Sequence, residues 1–238
     1  GGTPLSCDDG NVCTTDSCDP VLGCVHVNNT NGCDDGNACT TSDVCQGGVC
    51  VGAVPNEVHH LVISQFQVAG GSSFTDEFVE IYNPTQSAIA LAGLSLQYRA
   101  AGLFTVFVVH PLGAQGVTVV PARGWVLLAP AAYDGPVAAD ELVTEFAMDS
   151  ATGHVALAIG TTGLGLTCPI GANVIDKLGY GSTSCAEGTA TTAPSENNSK
   201  LRRPGGACGN GTDTDSNSAD FVSQSPSTPR NHLSPPQP

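Results

Sequence analysis

Two consecutive cysteine-rich units open the chain, and they limit its folding more than anything after them. The first runs CDDGNVCTTDSCDPVLGC from Cys7 to Cys24, the second CDDGNACTTSDVCQGGVC from Cys33 to Cys50. Besides cysteine, residues 7–52 hold few core formers, mainly valines and Leu22. Burial alone cannot order so small and polar a segment. The cysteines must do it, as disulfides worth about 2–4 kcal/mol each or as metal ligands. Zinc sites favour C-x2-C pairs and histidine. Here the gaps are four or five residues and the polar neighbours are Asp and Asn. The spacing therefore predicts disulfides through Cys7, Cys13, Cys18, Cys24, Cys33, Cys39, Cys45 and Cys50. Four cysteines per unit allow three pairings, and the even count in each unit predicts pairing within units.

Disulfides imply an oxidising compartment, so the chain is expected to be secreted or held at the cell surface. Its start, Gly1-Gly2 without Met, fits a mature chain whose leader has been removed. Acids outnumber bases 22 to 7, for a net charge of -15. Such a surface repels phosphate backbones, so no nucleic-acid partner is expected. No apolar run approaches the roughly 20 residues of a membrane-spanning helix.

Composition changes after residues 1–54, across a linker at 55–57. From residue 58 to 221, short β-branched runs alternate with turn formers. The runs Leu61–Val68, Glu77–Asn83, Leu94–Arg99, Phe104–Val109, Val117–Val120, Gly124–Ala129, His154–Gly160 and Asn173–Gly179 read as strands. Alternation places Leu94, Leu96 and Tyr98 on one face, and likewise Val155, Leu157 and Ile159. Many short strands without a clear helix predict an all-β sandwich or barrel. A single helical turn is allowed within Pro136–Met148. Beyond Ser182 the sequence reads as loop. It ends in a Pro- and Ser-rich tail, residues 222–238, whose extended conformation suits lying along a neighbouring molecule.

The segment VISQFQVAGGSSFTDEFVEIYNPTQSAIALAGLSLQY carries a further signal in Ile63–Phe66, Asp76–Pro84 and Ala90–Leu96. With Val174–Ser182, Ala186–Gly188, Thr212–Phe221 and Ser225–Asn231, it makes residues 58–232 resemble a lamin-tail domain. Leu94 stands where many members have Trp. The resemblance implies an immunoglobulin-like β-sandwich preceded by a small disulfide-stapled module. The module itself is similar to the CTDC-type cysteine repeats of slime-mould and myxobacterial surface proteins. Both resemblances imply an extracellular accessory or surface protein rather than a catalyst.

Few residues point to chemistry. Asp213, Asp215, Asn217 and Asp220 form D-x-D-x-N-x-x-D, a spacing of oxygen ligands that suits calcium. It is not an EF-hand, since Ser218 replaces the required Gly, and the same residues suit a turn bonded to its own backbone. The Asp-Gly turns of the repeats (Asp8, Asp9, Asn11, Asp16 and Asp34, Asp35, Asn37, Asp43) offer the same choice. No G-x-S-x-G, HExxH or phosphate-cradling loop is present, so no catalytic residue is expected. Of the last three cysteines, Cys168 and Cys185 flank a predicted strand. Cys185 and Cys208 bracket one loop, which predicts a Cys185–Cys208 disulfide and leaves Cys168 free or intermolecular.

The reading that follows is a secreted noncatalytic structural protein that assembles with copies of itself into a filament or layer. The alternatives are a calcium-stabilised adhesion module for a surface protein or glycan, and an accessory domain of a secreted hydrolase.

Overall fold

Alternating β-branched residues bounded by Gly, Pro and Asn become strands in both halves of the chain. A computed structural model describes residues 6–36, 40–53, 58–68, 76–102, 106–165, 168–195, 197–204 and 211–237. It divides into two units, Gly1–Pro55 and Asn56–Pro238.

The first unit is a pair of antiparallel hairpins. β1 (Thr14–Asp19) pairs with β2 (Gly23–Asn28), and β3 (Thr41–Gln46) with β4 (Val49–Ala53). The second repeat has one more residue between its middle cysteines than the first. The extra residue is Ser42, held at φ 57°, where the register shifts between Thr41 and Val44. That bulge preserves the repeat: Asp16 accepts the Asp9 N–H at 2.9 Å, and Asp43 accepts the Asp35 N–H at 3.1 Å.

The second unit is a β-sandwich. Its strands are β5 (Val62–Gln67), β6 (Phe78–Tyr82), β7 (Ile89–Ala90), β8 (Leu94–Ala100), β9 (Val108–Pro111) and β10 (Val119–Val120), then β11 (Trp125–Ala129) and β12 (Glu141–Leu142). After them come β13 (Gly153–Ile159), β14 (Val174–Tyr180), β15 (Ser199–Arg202) and β16 (Phe221–Gln224). One sheet runs β12-β11-β6-β5-β15-β16, the other β14-β13-β8-β9, and β7 pairs with β10. All pairings are antiparallel except β11 with β12. Ile63, Phe66, Val79, Ile81, Val126 and Leu128 of the larger sheet meet Leu96, Tyr98, Val155, Leu157, Leu178 and Tyr180 of the smaller one. A register shift between Ile63 and Gln65 explains why the inward residues step from 63 to 66. Ile159, at its strand's end, is exposed instead of sharing the core face.

Two expectations fail here. The region after Ser182 is not all loop: it supplies β15, β16 and a one-turn helix, α1 (Asn217–Asp220). β15 reads SKLR, so its burial depends on polar partners rather than apolar alternation: Lys200 Nζ donates to Thr192 Oγ1 at 2.7 Å and Ser223 Oγ at 2.9 Å. Residues 136–148 hold no helix and contribute the short parallel strand β12. Phe104, in a predicted strand, lies outside the described residues.

Candidate functional site

The repeat module is stapled differently from the predicted scheme. Cys7 pairs with Cys24 and Cys33 with Cys50, first with fourth in each unit. Cys13 crosses to Cys45, joining the second cysteine of one repeat to the third of the next. The reason lies in how the repeats abut. Asn11 Nδ2 donates to Gly48 O at 3.0 Å. Gly48, at φ +87°, lies so close to Asn28 that an added Cβ would sit 2.6 Å from its Oδ1. This approach brings Cys13 and Cys45 together at 0% and 2% exposure. Cys18 lies opposite Cys24 in the hairpin register, its sulfur within 4.8 Å of those of Cys7 and Cys24. Cys39 and Asn37 lie outside the described residues.

Within the module, Asp8 accepts Gly10 N–H, and Asp9 accepts both Asn11 N–H and Thr14 Oγ1–H. These are turn bonds of the expected kind. Two groups also bring ligand atoms within 4.8 Å of one another: Asp9, Asp16 and His26, and Asp34, Asp35 and Asp43. His26 Nδ1 donates to Asp16 at 2.8 Å, which raises the His26 pKa above its ordinary value. Most of the described aliphatic residues of the module face solvent. Val12, Val21, Leu22, Val27, Val49 and Val51 are 43–88% exposed.

The predicted calcium residues do not converge as one ligand set. Asn217 Oδ1 accepts the N–H groups of Gly179 and Glu187, and its Nδ2 donates to Lys177 O. Asp215 is exposed, at φ 54°. Asp213 and Asp220 face a cation already present, the fully buried guanidinium of Arg202. Its Nη1 stands 3.3 Å from Asp213 and 3.5 Å from Asp220. Its Nη2 meets both oxygens of Asp176, at 2.8 and 2.7 Å, and its Nε donates to Ile63 O at 2.8 Å. Burial opposes the charge, but Asp176, Asp213, Glu187 and Asp220 outweigh it and raise the Arg202 pKa. Burial pushes Glu187 up to about 8. Spacing alone could not distinguish these acids from metal ligands, because Arg202 meets them only in three dimensions.

A second buried charge group joins the sheets at their edges. His110 of β9 donates from Nδ1 to Glu145 at 2.9 Å and from Nε2 to Glu141 of β12 at 3.1 Å. Two donated bonds require the imidazolium. Burial opposes that charge, the carboxylates outweigh it, and the His110 pKa is raised.

Cys168 pairs with Cys185, at a Cα separation of 5.2 Å, correcting the Cys185–Cys208 expectation. The loops at both ends of β14 fold back along its open edge. Lys177, midway along the strand, donates to Pro169 O at 3.2 Å. Gly179 has Cys185 O so near that an added Cβ would lie 2.3 Å from it. The strand between the two cysteines therefore does not keep them apart. Cys208 lies outside the described residues.

The Pro-rich tail packs on its own sandwich, contrary to the expected contact with a neighbour. β5, β6 and β11 are buried along their whole length, and the tail covers their outer face. Arg230 stacks 4.5 Å over the ring of Trp125, which stacks on Tyr82 at 5.1 Å. The Arg230 Nη2 and backbone N donate to buried Glu80 at 3.1 and 2.5 Å. Tyr82 OH donates to Gln237 O at 2.9 Å.

The matching family models agree with this architecture. The Dictyostelium (slime mold) repeat matches residues 6–29 and 32–51. No curated protein matches the chain. Among solved structures, a DUF4876 family protein from Bacteroides thetaiotaomicron superposes with a TM-score of 0.49 and 10% identity, over 84% of this chain and 85% of that one. The Lamin Tail Domain profile matches residues 55–182, more than half of the chain, in the region whose ISQF and DEFVEIYNP strands form β5 and β6. With its immunoglobulin-like sandwich and its stapled repeats, the chain belongs to the lamin tail domain family.

Proposed function

We propose that the chain is a secreted, noncatalytic surface protein that self-assembles into an extracellular filament or layer. One observation carries this reading: among the described residues of the stapled module the buried apolar side chains are cysteines, while Val12, Val21, Leu22, Val27, Val44, Val49 and Val51 turn outward. We take these outward-facing aliphatic residues as the surface that a partner copy covers. A contact between unlike surfaces of two copies repeats without closing and builds filaments. Two sequence features that first suggested assembly are now explained within one chain, since the tail packs on its own sandwich and Cys168 is paired. The exposed module remains. Size exclusion with light scattering, over a range of concentrations and with and without reductant, tests the proposal. Growth with concentration that reductant abolishes supports it, and a monomer at high concentration refutes it.

A second reading, a calcium-stabilised binding module, draws on the two carboxylate groups of the repeats. Residues 1–55 contain seven Asp and no Lys or Arg. A chelator would then lower the melting temperature of the module, whereas a module held by disulfides alone would not respond.

A further inference from the structure

The C-terminal tail is held by a side-chain code rather than by simple covering. Three consecutive residues each bond to the sandwich. Arg230 has the carboxylate of Glu80, itself 0% exposed and bonded by Ser64 Oγ at 2.5 Å. Asn231 Nδ2 donates to Ala138 O at 3.0 Å. His232 donates from its backbone N at 2.9 Å and from Nδ1 to Asp140, whose side chain is 1% exposed. Five residues on, Gln237 N donates to Arg123 O at 3.0 Å. An apolar segment would cover Trp125 without the desolvation penalty of a buried ion pair, and such pairs serve selection better than stability. A buried acid that takes Arg, an aromatic platform beneath it and a turn at Asn231–Ser234, closed by Ser234 N–H to Asn231 O at 2.9 Å, are the parts of a peptide-recognition groove.

We infer that this groove is a peptide-binding site for Pro-flanked Arg-Asn-His segments that turn at Asn231, and that its partner in trans is the tail of a second copy. The sequence that fits the groove is the chain's own, and a swapped tail makes the same contacts as an unswapped one, so exchange has little net cost. The tail leaves the sandwich after β16 ends at Gln224, and its described residues 225–237 form no strand. The inference builds on the assembly reading by naming a segment and a groove through which copies join.

Trp125 is the sole tryptophan, which makes the exchange observable. A full-length chain carrying Trp125→Phe and an energy-accepting dye at its C-terminus is mixed with unlabelled full-length chain. Trp125 emission is then quenched when the labelled tail enters the groove of another molecule, and the Arg230→Ala tail separates that entry from association by other contacts. The inference predicts saturable quenching, weakened about 30-fold or more when the labelled tail carries Arg230→Ala. If the Trp125→Phe chain does not fold, a labelled peptide of residues 225–238 takes its place. Steady emission at all concentrations, or equal quenching by the Arg230→Ala tail, overturns the inference. Oligomers without quenching would also overturn it while leaving the assembly reading intact. Quenching confined to closed dimers would support tail exchange and count against filaments.

Discussion

Replacing Glu77 with Gln should make the sandwich more stable at alkaline pH and leave it almost unchanged in acid. Glu77 is 5% exposed, and its Oε2 accepts the Met148 N–H at 2.8 Å. Burial pushes its carboxyl from 4.5 up to about 7. The folded state therefore holds this proton more tightly than the unfolded state. Stability from this group is complete below pH 4.5 and is lost as pH rises through 7. A shift of that size, at about 1.4 kcal/mol per pH unit, corresponds to about 3 kcal/mol. Gln keeps the carbonyl that accepts from Met148 and cannot ionise. Urea unfolding at pH values from 4 to 9, followed by Trp125 emission, should give coincident midpoints in acid. At pH 8 the variant should be the more stable by up to about 3 kcal/mol. Curves that remain parallel across this range, or a variant less stable at pH 8, would refute the reasoning. Glu187, pushed up to about 8, shifts both proteins equally and cancels in the difference.

Three other outcomes are expected. The His110 pKa should lie above the ordinary 6.5 in an NMR titration of the folded chain, and the stability it contributes should be lost as pH rises through that higher value. Arg202→Met should destabilise the sandwich by about 3–5 kcal/mol in urea unfolding, because it leaves Asp176 buried without its cation. Adding Asp176→Asn should recover part of that loss. Replacing Cys13 and Cys45 with Ser should cost the module about 4 kcal/mol by loop entropy, read as a lower melting temperature by circular dichroism.

The sandwich was legible in the sequence wherever apolar residues alternate. Leu96, Tyr98, Val155 and Leu157 point inward because period-two burial is local to each strand. β15 escaped detection because Lys200 and Arg202 are buried through partners distant in sequence. The same remoteness hid the real role of Asp213 and Asp220, whose spacing suits calcium but whose neighbour is Arg202. Cysteine spacing identified a stapled module but could not reveal the Cys13–Cys45 crossing, which depends on the approach of Gly48 to Asn28. The one readable sign of the tail's docking was Glu80, a charge inside an otherwise apolar strand. A buried acid requires a partner, and Arg230 is 150 residues away.

Assembly of the whole chain is the central claim, and sedimentation velocity tests it most directly. The oxidised chain is compared over a wide concentration range with a chain in which Val21 and Leu22, 88% and 76% exposed, are both changed to Asp. The account predicts species that grow with concentration in the first and nothing larger than tail-exchanged dimers in the second, with both folded by circular dichroism. A single monomeric boundary for the oxidised chain at every concentration would contradict it.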